Sequence, residues 1–588
     1  MKKKRIRKIS RRDALKFGGM ALVAAVLSCN RQRGIENLSV QPTLMNTVPA
    51  YSTPPARTPP MGPSDLLLRN GKVYTVDSAN SRAQAVAIKD GLIQAVGTDE
   101  AIGALAGSET KVIDLGGKVV TPGFIDPHIH VRAQGLFTSY YTPFMPPDVK
   151  DTQSLQRALA EVIKSKQPGD WVMGYYIGLK DKPVPTKEDF DPVSPNNPVF
   201  IMHIGGHWAT ANSAAMQIAK ITDSTPSPDG GIIEKKDGKL TGVFYNHRAM
   251  DVLRVYAPPI TTDEVRKGIL ESQTLLAACG ITSFQDNNVR DLDDIKTYQD
   301  LSAEGKLYLR NDLYLTLEWP ADLSKLDQVR HIRDDITRFA GFKFLIDGQG
   351  PTSYCHEAHN GVEWRMPTWD PAIYKDTIRT LHDTGLQICV HCVGDAATDL
   401  TLEAYEAAMN ANPRSDPRHR IEHAVLTTPQ ATTKMKDLGV VVSAQPGFVY
   451  LVGDSWEPLY GAKRMDRMMV VREWLEAGVH VAFGSDAPSV PFYNPQFTLA
   501  SAMSRLTLKL QTLGPEHKVT FDEALRAHTF EGAYAAHEEN LKGSLEPGKF
   551  ADIVVWPKDP TAMTLAELVK ATTVDMTLVG GKTVYQAG

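Results

Sequence analysis

Between about residues 122 and 540 the chain alternates short apolar runs of strand character with longer segments of helical period, and this alternation constrains its fold more than any other feature. Ile388-Cys389-Val390-His391 precedes a helical stretch over residues 397–409, and another over 429–438 precedes Val440-Val441-Val442-Ser443. Strands separated by covering helices pair in parallel. A closed barrel of eight such units takes about 250 residues, so the span has room for insertions. The reading is an α/β fold, a (β/α)8 TIM-like barrel over residues 122–540. The longest departure from the alternation, about residues 131–259, is expected to be an insertion forming a lid or recognition subdomain, because barrel insertions cluster at the catalytic face.

The two ends of the chain read differently. Leu66-Leu67-Leu68, Lys72-Val73-Tyr74-Thr75-Val76, Ala85-Val86-Ala87-Ile88 and Leu92-Ile93-Gln94-Ala95-Val96 are short β-rich runs, with Asn70-Gly71 and Asp90-Gly91 between members of each pair. Such turn pairs predict hairpins. The C-terminus repeats the style in residues 551–556, 576–579 and 582–585, the last two flanking Gly580-Gly581. Neither end supplies enough strands alone, so residues 64–121 and 541–588 are expected to combine into one small β-sandwich, which also brings the termini together.

Residues 1–29 have the pattern of an export signal, a dense Lys/Arg run followed by an apolar stretch from Phe17 to Ser28. That stretch is far shorter than the ~20 residues a membrane-crossing helix needs. Ser10-Arg11-Arg12-Asp13-Ala14-Leu15-Lys16 resembles the twin-arginine export motif, with Ala14 where Phe is usual. Val26-Leu27-Ser28-Cys29 resembles a lipobox in which Cys29 is lipidated; the alternative is that Cys29 is one more apolar residue of a signal cut elsewhere. Residues 30–63, polar and rich in Pro and Thr, read as a disordered linker. The expected destination is the periplasm or cell envelope, with membrane association only through a lipid anchor at Cys29.

Composition narrows the partners. With 42% hydrophobic and 22% charged residues the chain is globular, and a net charge of -4 offers no basic face for nucleic acid. A small-molecule substrate, uncharged or of mixed charge, is expected, and assembly into a homo-oligomer is compatible with the sequence. The cysteines beyond the signal are Cys279, Cys355, Cys389 and Cys392. Cys389 and Cys392, three apart on a strand, should point to opposite faces and so stay unbridged.

The chemistry concentrates at strand ends. In Thr121-Pro122-Gly123-Phe124-Ile125-Asp126-Pro127-His128-Ile129-His130, a spacing of two puts both imidazoles on one strand face. Aimed at a barrel axis, they make a pair of metal ligands. His391 and His423 end strands of their own, and Val479 to Pro488 is an apolar strand ending in Asp486, which can ligate a metal and also accept a proton from its water. Lys343 lies in the otherwise apolar Gly341-Phe342-Lys343-Phe344-Leu345-Ile346-Asp347-Gly348. An unpaired buried ammonium is costly. Carboxylation by carbon dioxide would turn Lys343 into an anionic carbamate able to bridge two cations; otherwise it stays an ammonium paired with Asp347 or another acid.

The order His128, His130, Lys343, His391, His423, Asp486 resembles the metal-dependent amidohydrolase superfamily. Gly206-His207 with Asn212-Ser213, Gly280-Ile281-Thr282-Ser283, Gln445-Pro446, Gly484-Ser485-Asp486-Ala487-Pro488, Asn494-Pro495 and Ser504-Arg505 extend the likeness to amidohydrolase family 3, on the branch of N-substituted formamide deformylase-like proteins. The resemblance implies a binuclear centre, usually two zinc ions. His128, His130 and Asp486 would hold the more buried ion and His391 and His423 the other, with carboxylated Lys343 bridging. It also implies hydrolysis of a non-peptide C–N bond, amide or formamide, by a hydroxide generated on the metal. Asp486 would be the proton shuttle and His207, from the insertion, a further donor to the carbonyl oxygen; the alternative is that Gly205-Gly206-His207-Trp208 is a structural turn packing on the barrel rim. Ester, lactone or carbamate hydrolysis on the same centre is the enzymatic alternative, and a non-catalytic ligand-binding surface lipoprotein the other. The sequence departs from the family at Phe244-Tyr245-Asn246 and at Gln285-Asp286, both expected near the substrate.

Overall fold

The computed structural model describes residues 53–181, 184–317, 323, 326–357 and 367–588. The export signal, Arg11, Arg12, Cys29 and the greater part of the expected linker lie outside the described residues. Among the described residues no helix is long and apolar enough to cross a membrane.

Eight parallel strands follow one another in a single sheet: β1 (Phe124–Ile129), β2 (Ile281–Val289), β3 (Arg310–Thr316), β4 (Thr337–Leu345), β5 (Gln387–Cys392), β6 (Arg420–His423), β7 (Val441–Ala444) and β8 (Val481–Phe483). Just past the ends of β8 and β1, Asp486 N donates to His128 O (2.8 Å) and His130 N to Ala487 O (2.8 Å), curling the sheet into a barrel that fits the TIM-like expectation. Residues facing away from the axis, among them Phe342, Phe344, Ile388, Val390 and Ile421, join the surrounding helices in one apolar cluster. Each such side chain, fully buried, stabilises the fold by roughly 1.5–3 kcal/mol. The helix Asp395–Ala411 illustrates the docking: Leu402, Tyr405 and Ala408 are buried along one stripe, and Tyr405 Oη donates toward Ile388 O (3.2 Å) and Arg420 O (2.9 Å). Cys389 points into the barrel beside Tyr314, while Cys392 points out to Thr401 of that helix (3.3 Å). All four described cysteines are free.

The chain ends form two sheets. One, ordered Leu92–Gly97, Ala85–Lys89, Leu66–Arg69, Lys111–Asp114, is N-terminal throughout. The other runs Lys582–Gln586, Met576–Val579, Ile553–Val555, Val119–Pro122, Lys72–Tyr74, Arg82–Ala83, so three strands from the C-terminus join three from the N-terminus where Ile553–Val555 pairs with Val119–Pro122. A single apolar cluster, including Leu68, Val86, Val120, Ile553 and Leu578, draws on both sheets. Asp90-Gly91 and Gly580-Gly581 do join antiparallel neighbours. Asn70-Gly71 does not: Leu66–Arg69 and Lys72–Tyr74 belong to different sheets. The turn is a crossing point, so tight that a Cβ on Gly71 would lie 2.5 Å from Leu115 Cδ1. The end of the expected linker remains largely exposed, but part of it makes contacts with the body of the protein. Asn540 Nδ2 donates to Pro54 O (3.0 Å), and the Arg57 guanidinium lies 4.5 Å from the centre of the Phe550 ring. Residues 53–57 thus have packing partners that polarity and Pro content do not reveal.

Between β1 and the helix Thr262–Ala278 that leads into β2, the chain builds a separate six-stranded sheet from residues 142–245, followed by the helix Asn246–Arg254. The helices before and after this excursion, Val131–Ser139 and Thr262–Ala278, cross at Gly135 and Gly268, where a Cβ on Gly135 would lie 2.2 Å from Gly268 C. Two glycines let the backbones meet at the neck of the excursion.

Candidate active site

His130, His207, Lys343, His391, His423 and Asp486 line one cavity of about 870 Å³ at the C-terminal ends of the barrel strands, with His128 buried behind them. One ligand atom each of His128, His423 and Asp486 lies within 4.8 Å of the others. His130 Nε2 is 2.9 Å from Asp486 Oδ1 and His128 Nε2 is 3.4 Å from the same oxygen. The His391 and His423 rings are 4.5 Å apart, His423 and His128 4.6 Å. His207, from the inserted segment, has its ring 5.0 Å from that of His391. The structure therefore brings together His128, His130, His207, Lys343, His391, His423 and Asp486.

Strand alternation explains only part of this convergence. His128 and His130 share a face of the β1 end, and Lys343 and Cys389 are cross-strand neighbours inside the barrel. His423 directly follows Glu422, yet both side chains reach the centre. The backbone makes this possible by turning left-handed, with φ of 75° at His423 and 47° at Ala424. Asp486 does the same at φ 59°. Left-handed backbone costs an ordinary residue roughly 1–2 kcal/mol. The fold carries that strain where it aims two ligands.

His128, His423 and His391 each have an outer partner, whereas His130 Nδ1 is buried without one; the pairing of Glu422 with Arg420 behind His128 is what the sequence reading missed. His128 Nδ1 donates to Glu422, whose carboxylate also receives Arg420 Nε (2.7 Å) and Nη2 (2.8 Å), all three residues being fully buried. His423 Nδ1 donates to Gln445 Oε1 (2.6 Å). His391 Nε2 lies 3.4 Å from Gly348 O and 3.6 Å from Asp347 Oδ1. A carboxylate or carbonyl on one ring nitrogen leaves the other with its lone pair facing inward. His128 Nε2 is buried with no hydrogen-bond partner, as a ligand atom awaiting a metal would be. The donor set fits a divalent cation of the zinc class. Arg420 and Glu422, two apart on a strand covered on both faces, were the available signal: charge there must be paired.

Electrostatics agree with these roles. Burial pushes Asp486 toward the neutral acid, but His128 and His130 outweigh it and hold it well below the usual carboxylate range. Glu422 is held low in the same way, by Arg420 and His128 against burial. Burial pushes His207 down to about 4, so it is a neutral imidazole at pH 7. Burial also lowers Lys343, for which no ion pair or hydrogen bond is found among the described residues. Asp347 is not its partner; it accepts the N–H groups of Tyr354 (3.0 Å), Val393 (3.1 Å) and Gly394 (2.8 Å), and burial lifts it to about 7. Of the two departures from family pattern, Asn246 lies against His207, donating its N–H to His207 O (2.6 Å). Gln285 does not face the cavity. It is sealed in the barrel interior, accepting from Arg420 and donating to Gly532 O (2.8 Å), because the Arg420 guanidinium needs a further acceptor there.

The amidohydrolase family pattern matches residues 111–585. The chain is 29% identical over 525 residues to the N-substituted formamide deformylase of Arthrobacter pascens, covering 86% of this chain and 95% of that one. It is 27% identical over 540 residues to the putative amidohydrolase YtcJ of Bacillus subtilis, covering 88% and 98%. Among solved structures, an uncharacterized metal-dependent hydrolase from Pyrococcus horikoshii superposes with a TM-score of 0.69 at 23% identity, covering 85% of this chain and 99% of that one, a likeness of fold.

Proposed function

The chain belongs to the amidohydrolase family and is a hydrolase of carbon–nitrogen bonds, and from that premise we propose that it cleaves an amide or N-substituted formamide of a small molecule at a metal centre between His128, His130, His391, His423 and Asp486. The observation that carries this reading is Asp486, an ionised carboxylate between the inward nitrogens of His128 and His130 in the cavity at the barrel mouth. A divalent cation bound there lowers the pKa of a coordinated water toward about 7 and polarises a carbonyl oxygen. Asp486 takes the proton from the attacking water and delivers it to the departing amine. Neutral His207, across from His391, donates a hydrogen bond to the carbonyl oxygen as charge builds on it. Lys343, which reaches the same cavity and makes no ion pair or hydrogen bond among the described residues, though Glu422 and Asp486 act on it through space, would serve once carboxylated as a ligand shared by two cations. The two terminal sheets, which share an apolar cluster, are read as one β-sandwich.

The test is a panel on the zinc-loaded protein: N-benzylformamide, acetanilide, phenyl acetate and a γ-lactone. We expect turnover of the formamide or anilide above the oxygen esters. Faster ester or lactone cleavage would reassign the bond, and no turnover of any member would favour a binding protein.

Export is proposed from the sequence alone. Arg11 and Arg12 direct a folded, metal-loaded chain through the twin-arginine route, since metal sites form as a barrel closes and folding first separates metal choice from delivery. Cys29 then carries the lipid, more than one acyl chain being needed for a stable anchor. Replacing both arginines with lysine should trap the enzyme in the cytoplasm, and Cys29→Ala should release it from membranes; unchanged fractionation of either variant refutes its half.

A further inference from the structure

We propose that Glu422, clamped by Arg420, makes the two metal positions unequal, so that the position of His128, His130 and Asp486 binds its ion tightly and the position of His391 and His423 exchanges it. The inference rests on the reading of the site as a metal centre and concerns residues for which that reading has no role.

The asymmetry lies in what stands behind each imidazole. Behind His128 is a carboxylate that receives two N–H groups from one guanidinium, at 2.7 and 2.8 Å, in a place with no water access. A guanidinium stays charged at any working pH, so the pair fixes a negative charge against His128 Nδ1–H. That hydrogen bond commits the ring to one tautomer and makes its other nitrogen a stronger donor. Arg420 is itself anchored through Nη2 to Pro127 O at 2.7 Å, one residue before His128, so clamp and ligand are set by the same strand end.

Behind His423 is the amide oxygen of Gln445, which fixes the tautomer at 2.6 Å but brings no net charge. Behind His391, the Gly348 carbonyl at 3.4 Å and the Asp347 oxygen at 3.6 Å are long contacts. Asp486, the anionic ligand, lies against His128 and His130. The tight position thus combines a charged ligand at 2.9–3.4 Å with a charged outer acceptor in direct hydrogen bond; at the other position a ligand atom of Asp486 lies within 4.8 Å of one of His423, and the Asp347 oxygen stands 3.6 Å from His391. Glu422 acts through His128 and is a positioning residue.

The experiment is an equilibrium titration of the full chain, stripped with a chelator and titrated with Zn²⁺ against a chromophoric competitor, with bound metal counted separately. Wild type should show two steps at least about tenfold apart. Glu422→Gln should weaken the tight step by about 10–100-fold and leave the weaker step in place. Gln445→Glu, which adds the missing charge behind His423, should tighten the weaker step. Circular dichroism and melting of the stripped variants check folding. If Glu422→Gln does not fold, Gln445→Glu carries the test. Two equal steps in wild type, or equal weakening of both steps in Glu422→Gln, overturns the inequality while turnover on the substrate panel would keep the hydrolase reading. A chain that binds no Zn²⁺ and turns nothing over loses both.

Discussion

Asp486→Asn should fold, melt within a few degrees of wild type, and turn over substrate about 10²–10⁴-fold more slowly, the range that a positioned proton acceptor contributes. The choice of asparagine follows from the backbone. Asp486 sits at φ 59°, a left-handed conformation that Asn tolerates nearly as well as Asp, whereas alanine would add strain to the loss of the carboxylate. Its backbone N–H to His128 O (2.8 Å), one of the bonds closing the barrel, is kept in the variant. What changes is one oxygen, from an acceptor held ionised by two imidazoles to an amide that cannot take the proton. The effect should appear in kcat and kcat/KM together, since the interaction is made with the moving proton and not with bound substrate. Wild-type turnover by the folded variant would remove Asp486 from the chemistry.

The frame of this site was legible because its residues sit at positions a barrel makes special: His128, His130, His391, His423 and Asp486 lie at the ends of apolar runs, Lys343 interrupts one, and the C-terminal ends of barrel strands converge on one mouth. What the sequence hid is local backbone and pairing. Nothing in Glu422-His423 announces that consecutive residues both face the centre, which takes the left-handed turn at His423 and Ala424. Arg420 and Glu422 read as ordinary charges until their burial is known. Asn70-Gly71 has hairpin chemistry, but a turn dipeptide does not say whether its two strands are neighbours, and here the chain passes from one sheet to another. His247 was not singled out at all, yet it lines the cavity beside His207, with ring centres 6.1 Å apart, because the helix Asn246–Arg254 begins there.

Lys343→Ala should bind about one equivalent of Zn²⁺ where wild type binds two, and should recover part of the second when a short carboxylic acid such as acetate or propionate is supplied. The argument begins with cost. Lys343 is buried in the centre of the barrel, no acid among the described residues comes within ion-pair reach of it, and burial favours its neutral amine. A neutral amine is the form that adds to carbon dioxide: its lone pair forms the N–C bond, one proton leaves to solvent, and the product is a carbamate whose single negative charge is shared by two oxygens. The unfavourable cation is thereby replaced by a ligand whose charge two metal ions offset. The position of His391 and His423 depends on this step more than its neighbour does, because its own imidazoles bring no anion while Asp486 already serves the other. Truncation at Lys343 should therefore empty the two positions unequally, and a free carboxylate in the space vacated by the side chain should restore the more dependent one. Metal analysis of Lys343→Ala that returns two full equivalents without added acid would exclude the bridge. A variant that loses both ions alike would show that Lys343 serves the two positions equally, against the order in which their charges are arranged.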